Sequence, residues 1–297
     1  MRSFELERPK SLAECLEVLD EHGDAAFVLA GGTAGVPALR QGRVRPAIVV
    51  DLSGAGELTG ACADADGSVR LGAMVTAAEL GRSPAVQRSF PLLATTARRL
   101  GTVAVRNAVT VGGNICAGMP TADCPPSLAV LGATLTIASA RSTRQVSMLD
   151  FPICVDRTVL GPTEIVTEIR LPGESARMWA DIARISANPA DYGALVIVAV
   201  CARMDQARNR WADVRVAVGG ARNQPSRIHA AEQLLEQGEW DNSRIEQAAR
   251  LTGAEATLSD GRASAAYRGR IAGVALTGIL SKARQQWQPS NGGELAG

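Results

Sequence analysis

The chain has 297 residues, of which 46% are hydrophobic and 21% are charged, and its formal net charge at pH 7 is +1. This composition is typical of a globular protein with a large core, and the length suggests about two domains. A near-neutral charge argues against sequence-independent nucleic-acid binding, and aromatic residues, at 3%, are too few for a surface that stacks on bases.

The sequence carries no signal for membrane insertion, secretion or metal binding. The longest apolar run, residues 194–202, is far shorter than the ~20 residues that cross a bilayer. No hydrophobic stretch follows the charged N-terminus, so we expect a cytoplasmic protein. The six cysteines form no CxxC pair and only His22 and His229 could assist them, so we expect no metal ion in this chain.

The N-terminal residues are predicted to form a small α/β unit. Ser11 and Glu14 have the spacing of a capping box for a helix that ends at Gly23. Short apolar segments at residues 26–30 and 47–52 are typical of strands. The predicted order is therefore helix, strand, glycine turn, helix, strand.

From Asp66 onward the pattern changes to mixed helices and strands. Thr76 and Glu79 have the spacing of a second capping box. Residues 101–123 are rich in Gly, Thr and Asn without periodicity, and we predict loop or turn-rich β structure there. The other predicted elements are strands at 68–72, 133–138 and 165–171, a helix at 91–100 and a helix that begins at Pro125.

After Pro172 the pattern is again α+β. We place the main domain boundary near residues 172–177, where Pro and Gly interrupt the pattern. The predicted elements beyond it are strands at 195–201 and 213–218 and helices at 229–237, 243–256 and 263–285.

Two glycine loops are the candidate ligand-binding segments. The first, Gly31-Gly32-Thr33, directly follows a predicted strand. Consecutive glycines allow positive φ and close approach of a ligand, and successive amides can form a concave site for an anion. A Gly-Gly turn after a strand is more often only a turn, and on the residues alone this alternative stays open.

The second glycine loop, residues 110–114 (TVGGN), lies in the stretch without periodicity. Its hydroxyl and amide side chains suit phosphate or ribityl oxygens, and Asp123 follows as a carboxylate acceptor. Two such loops on different units predict two backbone cradles that together hold the diphosphate of one large ligand between two lobes.

The sequence does not match the residue spacing of other nucleotide-binding and catalytic motifs. Neither Lys10 nor Lys282 lies in a P-loop. Residues 54–56 (GAG) are not followed by the third glycine and the helix of a dinucleotide fingerprint. No G-x-S-x-G segment places a nucleophile on a sharp turn.

The two loops occur in order with further short segments along nearly the whole chain. These are residues 30–33 (AGGT), 45–52, 71–76, 106–115, Asp123, 157–165, 219–225 and 267–268. Together they resemble the FAD-binding (medium) subunit of the molybdenum hydroxylases, the family of xanthine dehydrogenase and carbon monoxide dehydrogenase.

The resemblance implies an α+β fold. Residues 1–174 would form a two-lobed FAD-binding domain of the vanillyl-alcohol-oxidase (PCMH-like) type, with lobes at 1–55 and 56–174. Residues 175–288 would form a C-terminal α+β domain of three strands and a helical bundle, and residues 289–297 a flexible tail.

The resemblance also implies contacts with FAD. The first loop would wrap the pyrophosphate, the second would meet the pyrophosphate and the ribityl chain, and Leu160 would contact the adenine or the ring region. The sequence departs from the family in two respects: residues 34–35 (AG) lose one possible side-chain contact, and Arg184 stands where lysine is frequent. The candidate cofactor-binding residues are Leu29, Ala30, Gly31, Gly32, Thr33, Ala34, Gly35, Val36, Thr102, Thr110, Gly112, Gly113, Asn114, Asp123, Leu160 and Arg184.

In such proteins a large partner subunit with a molybdenum cofactor hydroxylates the substrate, and electrons reach FAD through two [2Fe-2S] clusters of a small partner subunit. The resemblance therefore implies an oxidoreductase subunit that passes electrons from FAD to NAD⁺ or another acceptor, within a dimer of heterotrimers. We expect no catalytic side chain here, because the cofactor supplies the chemistry. Two other functions stay open: a flavin-free structural subunit of such a complex, and a self-contained flavin oxidase.

Overall fold

The N-terminal part of the chain forms a small parallel sheet with two helices. The computed structural model describes residues 3–187, 193–205 and 210–286. The elements of this first unit are β1 (Glu5–Glu7), α1 (Leu12–His22), β2 (Ala26–Leu29), α2 (Gly35–Arg40) and β3 (Ile48–Asp51). Strand β3 lies between β1 and β2, and both run parallel to it. The sequence does not predict β1, because this three-residue edge strand contains a single apolar side chain.

Both predicted helix starts are present with their caps. The amide of Glu14 donates to Ser11 Oγ over 3.2 Å at the start of α1. The Glu14 carboxylate accepts from the Lys10 amide rather than from that of Ser11, so this capping box is incomplete. At Thr76 the full reciprocal capping box with Glu79 is formed.

A five-stranded antiparallel sheet is the centre of the second unit. Its strands are β4 (Ala61–Ala63), β5 (Val69–Gly72), β6 (Thr134–Ala138), β7 (Thr143–Ser147) and, after a separate hairpin of β8 (Pro152–Cys154) and β9 (Arg157–Thr158), β10 (Ile165–Leu171). The strand order is β4-β5-β10-β6-β7, so β7 forms one edge and β4 the other.

Six short helices lie between β5 and β6 in the chain, and they correct one expectation. They are α3 (Ala77–Arg82), α4 (Pro84–Ser89), α5 (Pro91–Arg99), α6 (Val103–Ala108), α7 (Val111–Cys116) and α8 (Cys124–Val130). The prediction of loop or turn-rich β structure at residues 101–123 is wrong for α6 and α7. Each is too short to show periodicity, and each begins at a threonine cap: Thr102 accepts from the Val105 amide and Thr110 from the Gly113 amide.

The C-terminal part forms a four-stranded antiparallel sheet covered by three helices. Its elements are β11 (Trp179–Ile185), β12 (Val196–Asp205), β13 (Arg210–Gly219), β14 (Ser226–Arg227), α9 (His229–Glu236), α10 (Asn242–Ala254) and α11 (Ala265–Gln286). The strands lie in sequence order, three of them long and β14 of two residues. Within the described ranges no helix has the length and apolarity to cross a membrane. The expected tail, residues 289–297, lies outside them.

A buried arginine joins the last helix to this sheet. Arg268 is fully buried, and its Nη1 donates to the carbonyl oxygens of Leu195 (2.5 Å) and Gly220 (2.9 Å). Its Nη2 donates to the Asp260 carboxylate over 2.7 Å. The Asp260 carboxylate also accepts from the amides of Arg262 and Ala263, so the loop before α11 is held in one conformation.

Candidate cofactor site

Two adjoining cavities lie where the first and second units meet. The larger, of about 650 Å³, is lined by the end of β2, the loop after it, residues from 109 to 119 and residues from 156 to 166. The smaller, of about 330 Å³, includes residues of the second unit and two from the C-terminal part. Both cavities are lined by Thr33, Ala34, Val109, Gly113, Ala117 and Met119, so they form one cleft.

The first glycine loop joins β2 to α2 and lines the larger cavity. Gly32 has a φ of +70°, in the left-handed region that favours glycine. Among the described residues, the amides of Gly31, Gly32, Ala34 and Gly35 have no hydrogen-bond acceptor. This loop can therefore offer several N–H groups to an anionic ligand.

The second glycine loop uses its amides within the protein. Val111 and Gly112 donate to the carbonyl oxygens of Val75 and Ala73, each over 2.9 Å. Gly113 donates to Thr110 Oγ1 over 3.0 Å, and Asn114 donates to the Thr110 carbonyl oxygen. The expectation of a second backbone cradle is thus wrong, because these four donors are already bonded. The glycines serve close packing instead: an added Cβ on Gly112 would lie 2.7 Å from that of Ala73.

The two loops are in direct contact. A Cβ added to Gly31 would overlap the carbonyl oxygen of Ala108, just before the second loop. A Cβ added to Gly113 would lie 3.6 Å from that of Ala30. Two segments far apart in the sequence therefore form one wall of the cleft, and glycine is required where their backbones meet.

The smaller cavity is lined by polar side chains. Asn114 and Asp123 face it, and the Asn114 side chain accepts from the Cys124 amide over 3.0 Å. Arg184 Nε donates to Asp123 Oδ1 over 2.5 Å, and the two side chains are only 8% and 5% exposed. Burial raises the pKa of the Asp123 carboxyl, and the Arg184 guanidinium opposes this rise.

Arg262 is a lining residue that the sequence does not predict. It lies in the loop before α11, lines the smaller cavity, and donates to the carbonyl oxygens of Gly193 and Ala194 over 2.5 and 3.4 Å. No local motif marks this position in the sequence. It reaches the cavity through the tertiary arrangement of the C-terminal part.

The structure brings most of the candidate residues to this cleft. Those that line it are Leu29, Ala30, Gly31, Gly32, Thr33, Ala34, Gly35, Thr110, Gly112, Gly113, Asn114, Asp123 and Leu160. Val36, Thr102 and Arg184 line neither cavity. Val36 is 40% exposed, Thr102 caps α6, and Arg184 donates to Asp123, which lines the smaller cavity.

Family models match most of the chain. A model described as the FAD binding domain in molybdopterin dehydrogenase matches residues 2–174, and one for the CO dehydrogenase flavoprotein C-terminal domain matches residues 184–283. The nicotine 6-hydroxylase medium subunit of Paenarthrobacter nicotinovorans is 31% identical over 263 residues, 88% of this chain and 90% of that protein. The carbon monoxide dehydrogenase medium chain of Afipia carboxidovorans is 27% identical over 95% of this chain and 97% of its own length.

Solved structures agree over nearly the full length. A chain of the Cu,Mo-CO dehydrogenase superposes with a TM-score of 0.90 at 28% identity, covering 96% of this chain and 99% of that one. A chain of quinoline 2-oxidoreductase from Pseudomonas putida 86 gives 0.89 at 29% identity, covering 96% and 98%. The chain belongs to the family of FAD-binding medium subunits of the molybdenum hydroxylases, and it is an oxidoreductase subunit.

Proposed function

We propose that this chain is the electron-transfer subunit of a molybdenum-containing hydroxylase. When bound, FAD supplies two-electron redox chemistry, accepting electrons from iron–sulfur clusters of a small partner subunit and passing them to NAD⁺ or another acceptor. A large partner subunit with the molybdenum cofactor hydroxylates the substrate. The relatives' names as medium subunits or chains support such an assembly, and we propose a dimer of heterotrimers.

The cleft between the two glycine loops is the observation that carries this proposal. Its amides at Gly31, Gly32, Ala34 and Gly35 are available to an anion, which fits the diphosphate of FAD. Its two cavities share residues of that loop, and their number fits the two halves of a dinucleotide. Side chains at Gly31 would separate the loops, so the glycines are required by the shape of the site.

The side chains around the cleft are assigned to binding and orientation. The Asp123 carboxylate, fixed by Arg184, accepts a hydrogen bond from an N–H or O–H group of the ligand. Asn114 offers its remaining amide hydrogens to the same end of the cleft. Leu160 packs against the ligand at the other end. We therefore propose that thirteen of the candidate residues, those lining the cleft, hold FAD, and that Arg184 acts through Asp123.

We also propose that the chain divides as its sequence predicts, into residues 1–174 and 175–288. The parallel sheet and the five-stranded sheet belong to the first part, and the four-stranded sheet with α9, α10 and α11 belongs to the second. The matched family models cover 2–174 and 184–283 and support a boundary between them.

Flavin content of the purified complex tests the proposed function. We expect a yellow complex with one FAD for each copy of this chain, and rapid reduction of that FAD when the complex turns over its substrate. A colourless complex with all partners present would instead identify a structural subunit. Turnover of a small organic substrate by the isolated chain would identify a self-contained flavin oxidase. Assays with NAD⁺, quinones and artificial dyes then identify the acceptor.

A further inference from the structure

A short loop, residues 159–164 between β9 and β10, contributes to the wall of the larger cavity. Leu160, Gly161, Pro162 and Glu164 of this loop line the cavity. The loop belongs to no strand or helix. Two main-chain bonds contribute to its position, from the Val159 amide to the Phe151 carbonyl oxygen over 3.0 Å and from the Glu164 amide to the Gly161 carbonyl oxygen over 3.2 Å. The remaining bonds come from side chains.

One ion pair supplies most of these bonds. Arg144, on the edge strand β7, donates through Nε and Nη2 to the two oxygens of the Glu164 carboxylate over 2.9 and 2.7 Å. Arg144 Nη2 also donates to the Val159 carbonyl oxygen over 2.9 Å. Glu164 in turn accepts from the Gly161 amide over 2.8 Å. The pair thus holds the beginning, the middle and the end of the loop.

The charges of this pair persist at neutral pH. Hydrogen bonds from Arg144 are the main cause that lowers the pKa of the Glu164 carboxyl, with help from the Gly161 amide. The fork of the guanidinium meets the carboxylate with two parallel bonds, the strongest arrangement of such a pair. Glu164 is 18% exposed at its side chain, so solvent screens the pair only in part.

The position of this loop indicates which half of the ligand it meets, given the proposed function. Asn114, Asp123 and Arg262 line only the smaller cavity, and residues 156–166 line only the larger one. The edge of an isoalloxazine ring alternates N–H and C=O groups and needs polar partners, which the smaller cavity supplies. Adenine needs apolar surfaces for its faces, which Leu160 and Pro162 supply.

We propose that Arg144 and Glu164 are positioning residues that make the cleft select FAD over FMN. They hold residues 159–164 against the adenosine half of the ligand, which FMN lacks. Neither side chain touches the redox ring, so the pair contributes to the binding of the dinucleotide and not to the binding of its flavin half.

Flavin titrations of the complex, stripped of its flavin, test this inference. FAD and FMN are added separately, and quenching of flavin fluorescence gives each dissociation constant. For Glu164→Gln and Arg144→Gln we expect the Kd for FAD to rise roughly 10-fold, because a partly buried charge loses its partner, while the Kd for FMN stays within about 2-fold. Arg144→Lys keeps the charge without the fork, and we expect a smaller rise for FAD.

The matched control removes an arginine–carboxylate pair from the opposite edge of the same sheet. Asp64→Asn breaks the bond from Arg70 Nε to Asp64, 3.0 Å long and away from the cleft, and we expect neither Kd to change. If the Kd for FAD and the Kd for FMN rise equally in all three Arg144 and Glu164 variants, or if neither Kd changes, the inference is wrong and the proposed function still stands. A parent complex that binds neither flavin overturns the proposed function and this inference with it.

Discussion

At Gly31 the backbone of the first unit lies against that of the second, and an added methyl group would overlap the Ala108 carbonyl oxygen. We expect Gly31→Ala to push the two loops apart and to lower the free energy of unfolding by roughly 1–3 kcal/mol. We also expect most of the bound FAD to be lost, because the amides that we propose bind the diphosphate move. Urea unfolding and the flavin content of the purified complex measure the two effects.

Gly278→Ala is the matched control for this substitution. A Cβ at Gly278 meets no atom within 4 Å, and the residue lies inside α11. We expect full flavin content and a stability that is unchanged or raised by up to ~1 kcal/mol, the difference in helix propensity. Normal stability and normal FAD content in Gly31→Ala would contradict the close approach of the loops.

Asp123 and Arg184 form a buried ion pair beside the cleft. Asp123→Asn removes the negative charge opposite a buried guanidinium, and we expect a loss of about 3 kcal/mol in the free energy of unfolding of the flavin-free protein. FAD affinity is expected to fall as well, since an amide with one acceptor oxygen replaces a charged carboxylate with two. Glu246→Gln is the control, because it breaks an exposed pair with Arg250 and such pairs contribute less than ~1 kcal/mol. Equal losses in the two variants would count against the assignment.

At the scale of single residues, the sequence predicts those site residues that a local motif identifies. Glycines and threonines after strands are recognisable, and residues 29–35 and Gly113 do line the cleft. Arg262 escapes prediction because its place depends on the Asp260 carboxylate, which accepts from the Arg262 amide and from Arg268 only in the folded protein. The two Gly-Gly pairs look alike in the sequence. The sequence therefore does not show that four amides of the first loop have no acceptor among the described residues, whereas those of the second loop are bonded within the protein.

Among the elements, α6 and α7 are helices that the hydrophobic pattern of the sequence does not predict. Each has six residues, fewer than two turns, so neither can display the spacing by which an amphipathic helix is recognised. Their starts depend on single hydrogen bonds to Thr102 and Thr110. The longer helices α1 and α11 are predicted to within a few residues because a buried face imposes a period on the sequence. Strand β12 is predicted from a continuous apolar run, since its first seven residues are all buried.

The cap of α6 gives a test of the role of Thr102, which resemblance assigns to the cofactor. In the structure its hydroxyl accepts from the Val105 amide over 3.3 Å and it lines neither cavity. We expect Thr102→Ala to cost roughly 1 kcal/mol of stability and Thr102→Ser to cost less, since serine also caps. FAD affinity, measured by fluorescence titration, is expected to stay within about 2-fold in both variants. A large fall in affinity for Thr102→Ala without a fall in stability would instead support a contact with the cofactor.

For the whole molecule, the decisive feature is the meeting of two loops from different units. The spacing of residues 31 and 113 along the chain does not predict that they lie close together. Before the fold is known, only the resemblance to a two-lobed family predicts that both bind one ligand. The structure adds the physical cause: Gly31 packs on Ala108, and Gly113 lies beside Ala30. A ligand in the cleft therefore touches two units at once.

This arrangement predicts how removal of FAD affects the molecule. With free FAD at 100 times its Kd, binding adds about 2.7 kcal/mol to the free energy of unfolding, and removal of FAD loses that amount. Because the ligand contacts both units, we expect hydrogen exchange to accelerate at residues 29–36 and also at 109–117 when FAD is removed. Helices α9 and α10 lie on the four-stranded C-terminal sheet and line neither cavity, so their hydrogen exchange serves as the internal control. If hydrogen exchange accelerates in one loop alone, the ligand contacts a single unit. Loss of a ligand that contacts both units would remove protection from both loops.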